Sequence, residues 1–409
     1  MKINLIFDIS LIGSQLKKPR WQTGLFRYSV ELHSKLVNSP DLSLRYAHTA
    51  FPDHIRNSGE FISNAGSKAC LCTRKAHSYP LSIGGRGKRY LDRIYQMLGL
   101  DVNRLVYNEK CFEDASVYHT PYVKIPAEIK RMDWLKRIIT IHDLVPIIFP
   151  MHHQREQMME LLASVGSDYA ICVSENTRND LLNYDSLIDP DHVFVIHLAA
   201  DPLKFYPCND KERFAAVKQK YHLPEQYFLS LSTLEPRKNL DHVIRCFIRF
   251  LKEQNIHNLS LVLVGPAGWQ YEKIYSEIGG AGNLQDRIIL TGRIPDEDLA
   301  PVYSHAQAFF YMSHYEGFGF PPLEAMQCGV PTVTSHVSSL PEVVGTGGIL
   351  IPPDDEDELC QTMYKLYSDS SFRDQLIWKA REQAKKFSWE KCAREHIEIY
   401  RTLAGISKP

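Results

Sequence analysis

Short runs of β-branched and aromatic residues punctuate this chain, each followed by a stretch of helical periodicity, and that alternation confines it to parallel sheets with crossover helices. The runs fall into two sets. Strands are expected near 3–9, 42–48, 117–119, 138–141, 169–173 and 193–197, then near 227–231, 259–264, 287–290, 308–312, 332–334 and 349–351. Between the sets, residues 199–224 are polar and carry Pro202, Pro207 and Pro224, the pattern of a linker. At 409 residues the chain is too long for one ordinary core and long enough for two, and a hydrophobic content of 44% can fill both. The expected class is therefore α/β, with Rossmann-like lobes at 1–200 and 201–385 and a terminal segment, 386–409, built on a helix from Trp389 to Leu403.

The charge balance narrows the function. With 47 Lys and Arg against 48 Asp and Glu there is no global case for nucleic-acid binding. The distribution is less even, since residues 1–100 hold 15 basic against 6 acidic side chains. Within that stretch Arg86, Lys88, Arg89 and Arg93 surround a helical pattern of Tyr90, Leu91, Ile94, Tyr95 and Leu98. Such a helix suits an anionic membrane surface, or equally its own sheet. No 18-residue apolar stretch exists, so any membrane contact is expected to be peripheral. The apolar opening run closes at Asp8 without a small-residue cleavage site and reads as a first strand rather than a signal peptide. Nine cysteines, single apart from Cys70 and Cys72, form no disulfide framework or zinc spacing and read as reduced thiols of a cytoplasmic protein.

Two glutamates eight positions apart carry the chemistry. Glu316 opens the run Glu316-Gly317-Phe318-Gly319-Phe320-Pro321-Pro322, a Gly-rich turn that lets backbone approach a ligand, and Glu324 falls inside the helix those prolines can start. Amides at a helix N-terminus favour a diphosphate, and carboxylates accept hydrogen bonds from sugar or ribose hydroxyls. Upstream, Ser232-Thr233-Leu234-Glu235-Pro236-Arg237-Lys238-Asn239 follows a strand-like run and sets two adjacent cations in the loop before a helix.

With these segments the chain resembles the retaining GT-B glycosyltransferases of family GT4, marked by two glutamates with seven residues between them. Thr291-Gly292-Arg293-Ile294-Pro295 is similar to the family's base-contacting loop, and Ser338-Ser339-Leu340-Pro341-Glu342-Val343 to the segment after the next strand. The resemblance is clear from about Tyr227 to Tyr400. It implies two lobes facing a central cleft, with the terminal helix crossing back onto the first. It also implies hexosyl transfer from a nucleoside diphosphate sugar with retention of configuration. Arg237 and Lys238 would stabilise the departing diphosphate, Glu316 would bind sugar hydroxyls and Glu324 the ribose, with Gly317, Phe318 and Gly319 lending amides. Thr233, Gly292, Arg293 and Ile294 complete the expected donor contacts, and no covalent nucleophile is named. Closure of the lobes would exclude water.

In the first lobe, Gly24 could bring backbone to phosphate at a helix start. The preceding loop, with Lys17, Lys18, Arg20 and Trp21, is read as facing acceptor. His119 ends a strand and matches the family position where a histidine approaches the donor sugar. His142 and Asp143 look like two members of a triad without its nucleophile and are assigned to the acceptor side of the cleft. No metal is expected. The Asp-x-Asp at Asp355 and Asp357 follows Pro352 and Pro353 and reads as acidic charge at a helix start. Val264-Gly265-Pro266-Ala267-Gly268 lacks the dinucleotide and Walker patterns, which leaves NAD and ATP unsupported.

The three short motifs around Lys238, Glu316 and Glu342 resemble bacterial transferases that build surface polysaccharides, where GDP-mannose is a common donor. UDP- and dTDP-sugars stay open, with a glycan or lipid-linked glycan as acceptor. The expected place is the cytoplasm or the inner face of the cell membrane. A GT-B phosphorylase, an epimerase and a non-catalytic glycan-binding scaffold are the alternatives.

Overall fold

The computed structural model describes residues 2–17, 24–64, 70–76, 97, 104–149 and 152–407. The strands of the first set are β1 (Ile3–Asp8), β2 (Leu42–Ala47), β5 (Val117–Thr120), β6 (Lys136–Ile141), β7 (Tyr169–Cys172) and β8 (Val193–Val195). They form one parallel sheet in the order β2-β1-β5-β6-β7-β8. A parallel bridge from Leu71 to Tyr46 extends the β2 edge. Beside it β3 (Thr73–Lys75) and β4 (Leu105–Tyr107) pair antiparallel, an addition the sequence pattern does not anticipate.

The second set gives β9 (Tyr227–Leu231), β10 (Ser260–Val264), β11 (Ile288–Gly292), β12 (Ala308–Tyr311), β13 (Thr332–Ser335) and β14 (Ile349–Ile351), in the order β11-β10-β9-β12-β13-β14. Every residue of β10 and β12 is buried, as expected for strands covered by helices on both faces. One cover is the helix Leu240–Glu253, whose Val243, Ile244, Phe247 and Leu251 recur at helical spacing and are buried. Phe247 and Phe250 pack on Phe228 of β9, which meets Phe310 of β12 at a 5.0 Å ring separation.

Contacts divide the chain into two compact units. The first holds Met1–Val173, Arg178–Ile196 and Trp389–Pro409; the second holds Ser174–Thr177 and His197–Ser388. The stretch expected to link them is structured within the second unit. Phe205 is fully buried, Lys211–Tyr221 is a helix capped by Asp210, and Phe214 stacks on His305 at 3.5 Å. Its proline content breaks elements without stopping its apolar side chains from reaching the core. The last helix, Trp389–Leu403, belongs to the first unit and packs on the helix Gly24–Leu36 and on β1.

Candidate donor site in the second unit

In both sheets the strand order reverses next to the first strand of the set, and in open α/β sheets ligands gather at the carboxyl ends of strands at that point. In the second unit the two strands concerned are β9 and β12. The loop after β9 carries Thr233 to Lys238, and the loop after β12 carries Ser313 to Gly319. Sequence-distant motifs therefore meet because the sheet places their strands side by side.

Two glycines seat the first loop. Gly265 has φ +143°, and a side chain there would put its Cβ 1.9 Å from the Ser232 carbonyl oxygen; at Gly268 a Cβ would lie 2.8 Å from the Leu234 oxygen. Backbone bonds from Ser232 to Val264, from Leu234 to Pro266 and from Gly268 to Leu234 then zip the two loops together. These glycines thus serve close backbone approach rather than a dinucleotide fingerprint. Pro236–Lys238 forms a single 3-10 turn, and Asn239, with φ +56°, leads into the helix Leu240–Glu253. Asn239 is held by its Nδ2 donating to the Pro353 carbonyl at 2.8 Å.

The turn aims both cations at one carboxylate. Lys238 Nζ donates to Glu316 Oε1 at 2.5 Å and to the Tyr311 hydroxyl at 2.9 Å, and Tyr311 donates to the same oxygen at 2.9 Å. Arg237 Nη1 lies 3.0 Å from Glu316 Oε2 and donates to the Tyr315 carbonyl at 2.6 Å, while Nη2 donates to Glu235 at 2.7 Å. Lys238 and Glu316 are each 9% exposed. Burial pushes the Glu316 carboxyl up, but Lys238 and then Arg237 outweigh it and hold the group at about 2. Burial draws Lys238 below its usual range against the pull of Glu316. Burial also works against the Arg237 charge, yet Glu316 and Glu235 raise it overall. The result is a dehydrated group of two cations and two carboxylates, in which electrostatic interactions are far stronger than in water.

Below this group Gly319 takes φ +126° and the helix Phe320–Gln327 starts, with proline in its first turn as expected. Two serines hold the turn. Ser338 Oγ accepts the Glu316 amide at 2.9 Å, and Ser339 Oγ approaches the carbonyls of Glu316 at 2.9 Å and Phe318 at 2.6 Å. Ser174 and Thr177 donate to the Gly317 carbonyl at 2.7 and 3.2 Å. Glu324, in that helix, is 2% exposed, and Tyr303 donates to it at 3.1 Å. Gly292, Arg293 and Ile294 stand at the carboxyl end of the edge strand β11, two strands from β9, with Gly292 at φ +68° and Ile294 buried. The sequence pattern supplies Arg237, Lys238 and Glu316 but misses Tyr311, Glu235, Tyr303 and the serine clamp. The Ser338-Ser339 pair was visible as a motif, although nothing local gave it a partner. Asp355 caps the helix Glu356–Ser368 through the Glu358 amide, in keeping with acidic charge at a helix start.

His119 needs correction. It lies on β5 with no exposed surface, and both ring nitrogens are engaged, Nδ1 with Tyr400 at 2.6 Å and Nε2 with Thr140 at 2.8 Å. Thr140 in turn meets Tyr28 at 2.9 Å, and Tyr28 meets His396 Nε2 at 3.1 Å. The far end of this relay fixes every proton. His396 Nδ1 lies 2.8 Å from the Cys392 carbonyl, which can only accept, so in the neutral ring that burial favours Nε2 accepts from Tyr28. It follows that Thr140 donates to Tyr28, His119 Nε2 to Thr140, and Tyr400 to His119. All donors and acceptors on this path are used, and both histidines are neutral. Burial holds His119 well below its usual range and His396 at about 4. A strand-end position in sequence has become a core position because the terminal helix closes over it.

His142 follows β6, its Nε2 bound to the Pro121 carbonyl at 2.9 Å, and burial brings it to about 4. Asp143 accepts the Val145 amide at 2.9 Å, so the pair shapes the turn after β6 rather than forming a triad. Gly24 opens the helix Gly24–Leu36. Arg20, Trp21 and the basic stretch from Arg86 to Arg93 lie outside the described residues. Among the described residues no helix is long and apolar enough to cross a membrane.

Residues 212–383 match the model of the family Glycosyl transferases group 1. The chain is 31% identical over 396 residues to the O-antigen chain mannosyltransferase B of Escherichia coli, an alignment that covers 93% of this chain and 96% of that protein. In fold it is similar to the sucrose-phosphate synthase of Thermosynechococcus elongatus, with a TM-score of 0.68 at 18% identity over 99% of this chain and 100% of that one. It is also similar to WaaG, a glycosyltransferase involved in lipopolysaccharide biosynthesis, with a TM-score of 0.63 at 15% identity over 97% and 99% of the two chains. The fold is thus that of the GT-B glycosyltransferases, two Rossmann-like lobes each with a six-stranded parallel sheet. The chain belongs to the Glycosyl transferases group 1 family and is a hexosyltransferase of the GT4 kind. The phosphorylase, epimerase and scaffold alternatives gain no support from these relatives.

Proposed function

We propose that the second unit binds a nucleoside diphosphate sugar, GDP-mannose before UDP- or dTDP-sugars, and that the enzyme transfers mannose to a glycan or lipid-linked glycan of a bacterial surface polysaccharide. The observation that carries the donor class is the buried arrangement of Arg237 and Lys238 on Glu316 at the β9–β12 switch point. Once Glu316 turns to sugar hydroxyls, a diphosphate replaces the negative charge it withdraws from Lys238 and Arg237, while Arg237 keeps Glu235. Mannose is supported by the name of the Escherichia coli relative. In the transfer, the bond from the anomeric carbon to the phosphate oxygen breaks and one to the acceptor oxygen forms on the same face. The acceptor proton passes to the leaving phosphate. Lys238 and Arg237 stabilise the charge that grows on the diphosphate, and Glu324 meets the ribose. With cations from the chain in this role, no metal is required, and turnover should persist in a chelator.

The first test is thermal stabilisation by GDP, UDP, dTDP and ADP, each with and without its sugar, since a ligand of the folded state raises the melting temperature. A shift largest with GDP-mannose, followed by nucleotide release that depends on a mannosylated acceptor, is the expected outcome. Preference for another base overturns the donor, and nucleotide release without acceptor overturns transfer.

A further inference from the structure

The cysteines read singly in sequence do not stay single in the fold. Cys70 and Cys72 flank Leu71, whose bridge to Tyr46 makes them part of a rudimentary strand on the β2 edge, and alternate residues of a strand share a face. The segment is fixed by its backbone, with Tyr46 donating to Cys70 at 3.1 Å and Cys72 to Tyr46 at 2.7 Å. Cys111 comes from the short helix Glu109–Phe112, which is tied to the same segment through the Asn108 amide on the Cys72 carbonyl at 2.8 Å. Arg45 braces it from below, donating to the Cys111 carbonyl while pairing with both oxygens of Asp114 at 2.6 Å. The fold therefore supplies a third thiol to a pair that made no metal set alone.

The three sulfurs lie within 4.8 Å of one another, and Cys70 and Cys111 are 3.7 Å apart. Ligands on a tetrahedral ion with a zinc–sulfur distance of about 2.3 Å stand roughly 3.8 Å from each other. That pair already has the edge of such a tetrahedron, and a pair at the 4.8 Å limit needs to close by about 1 Å, within reach of side-chain rotation. Cys72 is buried and Cys70 exposed, which gives a fixed floor and an open mouth through which an ion can enter. We propose that Cys70, Cys72 and Cys111 form a site for a thiophilic divalent cation of the zinc class, three thiolates with the fourth position open to solvent. It belongs to the first unit, and its role is to clamp the β3–β4 appendage and the helix Glu109–Phe112 to the sheet edge.

The test uses the full chain, reduced and kept free of oxygen, titrated with Cd²⁺ and separately with Zn²⁺. The expected result is one Cd²⁺ per chain, with a thiolate-to-metal ultraviolet band, and a melting temperature that rises on adding Zn²⁺ and falls back with chelator. Both signals should vanish in Cys70→Ser/Cys111→Ser, whose exposed and half-buried positions tolerate the change. Failure of the reduced, folded protein to bind Cd²⁺ would overturn the site. So would equal binding by the double variant, or a Cys70–Cys111 disulfide, without bound cation, in protein purified without reductant.

Discussion

The two units share a strand order yet treat buried polarity in opposite ways. At the corresponding place in the first unit, Asp8 ends β1 and is fully paired with the Ser10 amide and the hydroxyls of Thr49 and Tyr118, while the relay from Tyr400 to Cys392 is neutral and closed. In the second unit four charges from two neighbouring loops meet with little water around them. A closed neutral network specifies a core and offers a ligand nothing to exchange. A buried ion cluster is a poor source of stability, because desolvation offsets most of its Coulomb gain, so its retention is better explained by what it can bind. The contrast assigns scaffold to the first network and donor chemistry to the second.

The largest expected break in that contrast is Lys238→Ala. Losing one aimed electrostatic donor typically costs about 100- to 1000-fold in kcat, and single-turnover transfer with the donor saturating should show a loss in that range. Removing one partner of a buried pair also destabilises, by about 3–5 kcal/mol, so the chemical step is read on the fraction of the variant shown to be folded. Near-wild-type chemistry in the folded variant would remove Lys238 from the mechanism and, with it, the reason to prefer the second unit's turn.

Acid should separate the units next. In the first, His33, His142 and His396 are each held at about 4 by burial, below the ordinary 6.5 of the unfolded chain. The unfolded state then binds more protons between those limits, so stability falls as pH drops from about 6.5 towards 4, by on the order of 3 kcal/mol per histidine. His242 and His305 shift the same way in the second unit through burial. Glu316 adds a lower window there. Its carboxyl is depressed from 4.5 to about 2, so the stability it contributes is complete above the unfolded value and is lost as pH falls through that range. Hydrogen-exchange protection at pH 5, corrected for intrinsic rates, should be reduced in β5 and β6 before β9 and β12. Equal loss in both sheets would mean the histidines do not set the first unit's acid limit.

Much of this was legible. The twelve strands of both sheets and the terminal helix follow from periodicity and proline placement, while the resemblance to a known family pointed to Lys238 and Glu316 as parts of one donor site without pairing them with each other. Three features were not. The β3–β4 pair uses three-residue strands containing Arg74 and Lys75, too short and polar to show a period. The Lys211–Tyr221 stretch looked like linker because pattern cannot see Phe205 and Phe214 finding partners nearly a hundred residues away. His119 looked like a ligand contact because its position at a strand end is local, while Tyr400, the partner that buries it, is 281 residues downstream.

His119 also offers a sharper test of the contrast. His119→Phe fills the site but leaves Tyr400 and Thr140 without their shared partner, and an unmet buried polar group costs about 1–3 kcal/mol each. Urea unfolding should register that loss while kcat of the folded enzyme stays within a few-fold of wild type. A fall in kcat comparable to that of Lys238→Ala, at unchanged stability, would return His119 to the chemistry.

The smallest effect expected belongs to Ser339, which tests whether the donor turn is held or merely present. Its hydroxyl approaches two carbonyls of the Glu316 turn, but it has one hydrogen and can donate to only one at a time. Ser339→Ala therefore deletes one net hydrogen bond, worth about 1 kcal/mol, and leaves the backbone path and Ser338 in place. Because that hydroxyl touches no charge, the variant should loosen the position of Glu316 without altering its ionisation. The expected signature is a donor KM raised several-fold with kcat little changed, and a pH–rate profile that overlays wild type. A displaced acid limb would show instead that the serine tunes Glu316 itself, and the turn would then be part of the electrostatics rather than their frame.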